Sequence, residues 1–357
     1  MIFGILKPNL VMTDVEKIFI TVAHERQHEA YVFVAKNIDF ENKKIVGQTL
    51  QGNHVVEKTF DFPHVVQNRL AVKQEDMQAY LNLAEMVPFT SNRIGDKNTV
   101  YKIMSTIDSL KKYLIEVLPL TSLEILLDSL EKHKKIICKP ASSNQGKGIV
   151  TIEKNDNTFM IKQMENQHNA DMKGLIHYYN ENLTRGYTVS PFLKSETCLG
   201  QSTVFRMHLT RGAGGKWQKI KFFPYVNLNK AVDITNGMLG ALITTREQLF
   251  LEQFYPTSFK KINQELKVLF TQFTQNFQKK FAWRLDSIGL DLGITQEGDI
   301  YIYEVNVGPG VGFMAYPVAC AQVEYYEWLV ENAKPPYQHN FLPINLRRKL
   351  AAAKEAS

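Results

Sequence analysis

Apolar residues recur along this chain with two periods, every second position and every third or fourth, and the switching between them predicts a mixed α/β protein. Ile2–Leu6 reads as a first strand. Thr13-Asp14-Val15-Glu16 then fits a capping box, and Val15, Ile18, Phe19, Val22 and Ala23 keep helical spacing. Residues 31–35 and 44–46 read as strands, 75–85 as a helix and 87–92 as a loop. Beyond residue 96 come a helix over 100–107 and a new segment starting at Pro119. Leu123–His133 is a strongly amphipathic helix. Residues 135–139 (KIICK) and 149–153 read as strands joined by the polar loop 141–148, ASSNQGKG. Met172–Asn182 follows as a helix and 187–193 as a strand. Residues 203–210 alternate well, 211–216 (RGAGGK) form a turn, and Trp217–Val226 returns as the partner strand. A long helix without Gly or Pro covers 262–282, and helices over 318–332 and 346–353 end the chain.

Between the last two long helices lies GLDLGITQEGDIYIYEVNVGPG, residues 289–310. Apolar runs at 288–294 and 300–305 flank 295–299, where Gly298 supplies turn chemistry, so the stretch reads as a β-hairpin. Strand side chains alternate faces, which puts Glu304 and Asn306 on one side. With Ile294 opposite Tyr301, Asp291 faces Glu304 on that same side. Two carboxylates and an amide oxygen converging there suit a hard cation such as Mg²⁺. A polar sheet edge in solvent is the other reading of an isolated D…ExN. Gly308, Pro309 and Gly310 follow at once, as in a loop that lets a ligand approach the backbone.

The chain's 357 residues suggest two or three domains, and 44% hydrophobic with 22% charged residues is ordinary globular composition. No apolar run reaches the ~18 residues of a membrane span, and MIFGILKPNL lacks the charged start of a signal peptide. Cys138, Cys198 and Cys320 are too far apart for a zinc spacing and odd in number, which favours the cytoplasm. A net charge of +6 from scattered lysines points to solvated surface rather than to nucleic acid. His24-Glu25-Arg26-Gln27-His28 matches the zinc-protease pattern H-E-x-x-H. The helical pattern stops near His28, however, and a strand begins within three residues, so His28 reads as a residue at a helix C-terminus.

KPASSNQGKGIVTIE resembles a P-loop but has Ala141 and Gly148 where that motif needs Gly and Ser or Thr. A P-loop also feeds a helix, whereas the β-branched residues after Gly148 read as a strand. The loop therefore joins two antiparallel strands, and its small residues let backbone N–H groups fold over an anion. Taken alone, it also fits a plain polar hairpin.

A Lys on a strand, a glycine-rich hairpin, an Arg-bearing strand and then D…ExN on a final hairpin form an order that resembles the ATP-grasp superfamily. Within it the chain is similar to the YheC/YheD family of endospore coat-associated proteins. The resemblance is carried by NRIGDKNTVYKIM (92–104), LPLT (118–121), ICKPASSNQGKGI (137–149), VFRMHL (204–209), GKWQ (215–218), DITNG (233–237) and the final hairpin, with FGIL and EAYVF near the start. It implies an ATP-grasp fold behind an N-terminal pre-ATP-grasp α/β domain. The segments would be 1–92, 93–187 with the phosphate lid, 188–335 with the metal site, and a tail helix in 336–357.

The same resemblance implies roles. Lys97 and Lys139 stand where nucleotide lysines are expected. Ser142, Ser143, Gly146, Lys147 and Gly148 occupy the lid over the phosphates. Pro191, Phe192 and Leu193 lie at the adenine hinge, and Arg206 matches the arginine that meets phosphate or the acyl-phosphate intermediate. Asp291, Glu304 and Asn306 match the magnesium ligands. ATP and Mg²⁺ are the implied cofactors, and a small-molecule or peptide carboxylate and an amine acceptor are the implied partners, with no nucleic acid or membrane. Three positions depart from the pattern: Val204 replaces an aspartate, Ser190-Pro191 replaces a Gln or Glu, and Tyr225 replaces an arginine. Two readings follow, a carboxylate–amine ligase or a nucleotide-binding structural protein of the spore coat.

Overall fold

The computed structural model describes residues 1–140, 148–163, 166–229, 235 and 240–355. They form three sheets. The first is built from β1 (Ile2–Leu6), β2 (Glu29–Phe33), β3 (Ile38–Asp39), β4 (Lys44–Gln51), β5 (His54–Asp61) and β6 (Val65–Asn68), with β2, β1 and β6 parallel. Helix α1 (Asp14–Glu25) begins at the expected capping box, in which Thr13 N–H donates to Glu16 Oε2 at 2.8 Å. It ends where Gln27 takes φ 62° and His28 N–H reaches back to the Ala23 carbonyl at 2.9 Å. That turn separates His28 from the helix bearing His24, and His28 Nε2 instead meets Glu327 Oε1 at 2.7 Å. No group of three or more His, Cys, Asp and Glu that could hold a metal occurs among the described residues. The zinc-protease pattern is thus a helix end.

Helix α2 (Met77–Met86) completes the N-terminal unit, and α3 (Lys97–Ser105) and α4 (Asp108–Lys111) lead away from it. The second sheet runs β11–β10–β9–β8–β12–β7. Its strands are β7 (Leu118–Pro119), β8 (Lys135–Pro140), β9 (Val150–Asn155), β10 (Thr158–Gln163), β11 (Asn166–Ala170) and β12 (Tyr187–Pro191). Helices α5 (Leu123–His133) and α6 (Met172–Asn182) cover one face, where Leu126, Leu130 and Leu175 pack on Ile136, Cys138 and Ile152. The pairing β8–β9 is antiparallel, as the small-residue loop between them requires.

The third sheet runs β15–β14–β13–β16–β17 and bears Arg206, Asp291, Glu304 and Asn306. It consists of β13 (Thr203–Arg211), β14 (Trp217–Val226), β15 (Leu242–Ile243), β16 (Ser287–Ile294) and β17 (Ile300–Val307). Phe205, Met207, Leu209, Leu290 and Leu292 bury one face against α7 (Glu247–Phe254) and α8 (Phe259–Asn276). Helix α8 stops short of the expected 282: a 3₁₀ turn at Gln278–Lys280 follows, and Phe277 stacks on Phe273 at 4.5 Å. The other face holds Val204, Arg206, Asp291 and Glu304.

The hairpin register differs from the expected one. Ile294 pairs with Ile300, not with Tyr301. Carried on without interruption, that register would set Glu304 opposite Leu290 and on the wrong face. A β-bulge at Tyr303 inserts one residue, and Asp291 then pairs with Glu304.

The last two helices, α9 (Ala315–Asn332) and α10 (Ile344–Glu355), return to the N-terminal unit. Val323, Tyr326 and Leu329 of α9 share a core with Phe3, Ile5 and Phe19. Phe341, Leu342 and Leu346 pack on the opposite side of the first sheet with Tyr80 and Phe89. Residues expected partly in the metal-bearing segment and partly in a separate tail therefore complete the first core. Each fully buried large apolar side chain there contributes roughly 1.5–3 kcal/mol. No helix among the described residues is long and apolar enough to cross a membrane.

Candidate active site

A cleft of about 330 Å³ opens between the second and third sheets, and both Lys139 and Glu304 line it. On β8, Ile136 and Cys138 turn into the core, which leaves Ile137 and Lys139 on the cleft side. The Lys139 ammonium sits over the Tyr303 ring at 5.5 Å. Burial, reinforced by the neighbouring Lys97 charge and opposed by Glu304, pushes its amine down to about 8. Lys97 opens α3, directly after the N-cap Asp96, whose carboxylate accepts from Thr99 N–H at 2.7 Å. From there its ammonium reaches Glu304 Oε1 at 3.4 Å.

The cleft wall between the sheets is Pro191, Phe192 and Leu193. The strand ends at Pro191 instead of 193, yet Phe192 N–H still donates to the Lys135 carbonyl at 3.0 Å. The Leu193 carbonyl accepts from Ser195 N–H at 3.0 Å and from the Tyr303 hydroxyl at 3.4 Å. Gly148 takes φ 75° and accepts from the Tyr187 hydroxyl at 3.1 Å. A Cβ there would lie 2.9 Å from Pro140 Cγ. Ser142, Ser143, Gly146 and Lys147, expected in the lid, lie outside the described residues.

Arg206 grips Asp291 with two bonds, Nε to Oδ1 at 2.5 Å and Nη2 to Oδ2 at 2.9 Å. Asn306 Nδ2 donates to Asp291 Oδ2 at 3.2 Å. Burial raises the Asp291 carboxyl above its usual range, with Glu304 adding to it and Arg206 opposing. Burial works against the Arg206 charge, but the Asp291 bonds outweigh it and hold the guanidinium charged.

Two glycines make this arrangement possible. A Cβ on Gly289 would come within 3.0 Å of both Arg206 Nη1 and Pro309 Cβ, and one on Gly293 within 2.1 Å of the Tyr303 hydroxyl. Each flanks Asp291 and leaves room for a neighbour's side chain to lie across β16. Gly293→Ala is expected to displace the Tyr303 ring and destabilise the fold by about 1–3 kcal/mol, readable as a shifted urea midpoint. Behind Arg206, His208 is fully buried, and neither ring nitrogen has a partner among the described residues. Burial, aided by the Arg206 charge, pushes its pKa down to about 4, so the ring is neutral near pH 7.

The oxygen donors of Asp291, Glu304 and Asn306 lie side by side on β16 and β17, and hard oxygens of this kind fit Mg²⁺. Arg206 and Lys97 now offset the two carboxylates, so a cation would have to displace them.

Several cleft residues escaped the sequence reading. Glu196 lines the cleft and pairs with Lys194 at 2.6 Å. Thr235 also lines it, with a buried hydroxyl that has no partner among the described residues. Thr235 lies inside the DITNG stretch, which was the available signal. Nothing local marks Glu196.

Comparison with known proteins gives the class first. The fold matches the crystal structure of N5-carboxyaminoimidazole synthetase from Staphylococcus aureus complexed with ADP, with a TM-score of 0.51 at 10% identity, over 94% of this chain and 78% of that one. Two sheets closing on a cleft in this way form the ATP-grasp fold. The family model for YheC/D-like ATP-grasp proteins matches residues 86–330, and the chain belongs to that family. Among curated proteins of Bacillus subtilis (strain 168), it is 20% identical to the endospore coat-associated protein YheD over 84% of this chain and 68% of that protein. It is 22% identical to the endospore coat-associated protein YheC over 67% of this chain and 66% of that protein. The chain thus spans about two thirds of the length of either relative.

Proposed function

We propose that this protein is an ATP-dependent carboxylate–amine ligase working through an acyl phosphate. The observation that carries the reading is that Lys139 and Glu304, on different sheets and 165 positions apart, face one cleft. Adenine would lie along Pro191–Leu193 and the ribose hydroxyls near Glu196. The phosphates would reach Lys139, Lys97 and the Thr235 hydroxyl, under the lid that includes Ser142, Ser143, Gly146, Lys147 and Gly148. Mg²⁺, held by Asp291, Glu304 and Asn306, supplies charge neutralisation among the phosphate oxygens when bound.

The protein's own work is positioning and charge. Lys139 and Lys97 draw the nucleotide into line. Arg206, passing from Asp291 to the transferred group, offsets the charge that develops when the substrate carboxylate takes the γ-phosphoryl and ADP leaves. An amine then attacks the acyl carbon, phosphate departs, the amide forms and the amine's proton passes to solvent. Hydroxylamine can stand in for the amine, and its hydroxamate product, formed with one ADP per turnover, tests the reading. ATP binding without ADP release from any carboxylate would leave the second reading, a nucleotide-binding protein of the spore coat. Val204 lines the cleft at the position where the family often carries an aspartate, which favours that alternative.

The Lys139 amine sets a pH dependence. Phosphate attracts the protonated amine, which burial makes shed its proton at about pH 8. Affinity for ATP should be full below that pH and fall above it, by up to about tenfold per unit. Calorimetric titration from pH 7 to 10 is the measurement, and Lys139→Arg should flatten the profile.

A further inference from the structure

Nine histidines are scattered along the chain, all of them among the described residues, and His208 alone is buried. It is fully enclosed in the middle of β13, and neither ring nitrogen has a partner among the described residues. Nearly every buried polar side chain in a folded protein is hydrogen-bonded. An orphaned imidazole therefore calls for a partner that another state of the site supplies.

The strand register shows where that partner stands. Arg206 and His208 are two residues apart on β13 and share one face of it. Directly opposite them on β16 are Asp291 and Gly289. Arg206 directs Nε and Nη2 at Asp291. Its third nitrogen, Nη1, lies 3.0 Å from where a Cβ on Gly289 would stand, and its Cδ 3.2 Å from the same point. The guanidinium thus leans over Gly289 towards the row of His208, with Nη1 on that side. The missing side chain at 289 is what leaves room for it. The Arg206 charge acts on His208, where it adds to burial in holding the ring neutral. A neutral imidazole has one acceptor nitrogen, whereas a guanidinium has only donors.

We propose that His208 is a positioning residue for Arg206: when a cation takes Asp291, the ring accepts a hydrogen bond from Nη1 and leaves Nε and Nη2 for the transferred phosphoryl group. This rests on the ligase reading above. Arg206 leaves Asp291 when a cation binds there, and a buried guanidinium without a partner is a costly state. His208 offers it an acceptor one row along and has no partner of its own to give up. The bond also fixes direction. An arginine held at one nitrogen presents the other two in one orientation, so the released side chain is aimed before phosphoryl transfer begins.

Calorimetric titration of the whole chain with ADP, without and with Mg²⁺, tests this with no carboxylate substrate. Mg²⁺ should tighten ADP binding by the wild-type protein. His208→Leu removes the acceptor and keeps an apolar side chain in its place. It should bind ADP alone within twofold of wild type but lose about tenfold in affinity once Mg²⁺ is present, the size expected of one hydrogen bond to a charged group. His208→Gln supplies an acceptor oxygen and should recover most of that loss. Equal Mg²⁺ effects in wild type and His208→Leu overturn the proposal. So does a His208→Gln variant as weak as His208→Leu, since the ring would then act by packing alone. A measurement on the wild-type protein guards against a variant that fails to fold. The ¹⁵N resonance of the unprotonated nitrogen in the buried ring should move when Mg²⁺ is added to the ADP complex, and a resonance that stays in place overturns the proposal. No ADP binding by the wild type overturns the ligase reading itself, whereas ADP binding that Mg²⁺ tightens without His208 overturns only the positioning role.

Discussion

Glu304→Ala should abolish ADP formation while leaving the protein folded. Glu304 is the cleft carboxylate least bound into the fold: its side chain keeps 34% of its accessible surface, and its ion pair reaches Lys97, itself half exposed. Removing it takes away the charge that opposes the downward push on the buried Lys139 amine, which can then shed its proton, and otherwise breaks one partly exposed ion pair, so the stability change should stay within about 1 kcal/mol. The effect on chemistry is of another order. Glu304 stands across from Asp291 and faces Lys139 over the cleft, where the proposed phosphates carry their charge. Loss of one preorganised electrostatic group at such a place costs about 10²–10³ in rate, and loss of a group that also holds the cation costs more. Circular dichroism and coupled ADP release, measured on one preparation, read both halves. Undiminished turnover would remove Glu304 from the site.

Arg206→Met should do the reverse and act on the fold as strongly as on activity. Arg206 and Asp291 expose only 17% and 15% of their side chains, and the two-pronged bond between them is what makes the buried carboxylate tolerable. Truncating one partner of a buried pair leaves the other charge uncompensated and typically costs 3–5 kcal/mol. Asn306 offers Asp291 a single further bond and cannot replace a full charge. Adding Asp291→Asn to Arg206→Met should recover most of the lost stability, because the double variant buries no lone ion. Urea denaturation of the single and double variants measures this. Activity should stay lost in both, because the proposed mechanism needs a cation at 206 to meet the transferred phosphoryl group. A single variant as stable as the wild type would show that Asp291 is not charged in the fold.

These two expectations depend differently on sequence and structure. The alternation of Thr203–Thr210 and Trp217–Val226, the capping box of α1 and the helix Leu123–His133 were legible because each follows from local chemistry that the neighbours in sequence supply. The same holds for the D…ExN hairpin and the strand before the lid. Strands β5, β6, β10 and β11 were not legible. β5 and β11 leave most of their side chains in solvent and so show no apolar alternation, while β6 has only four residues, all buried. The Tyr303 bulge left one mark that could have been read: the inward positions run Ile300, Ile302 and then Val305, a step of three where a regular strand steps by two.

The sequence by itself named the side chains that the proposed chemistry uses: lysines at 97 and 139, an arginine at 206 and oxygen donors at 291, 304 and 306, with glycines between them. Only the tertiary structure decided that Arg206 lies across Gly289 to hold Asp291, that Glu304 meets Lys97, and that α9 leaves the third sheet to finish the core of the first. Periodicity reports that a face is apolar, or that a carboxylate points to one side. It carries no information about what stands opposite, because that partner comes from a strand or helix tens to hundreds of residues away and is chosen by packing.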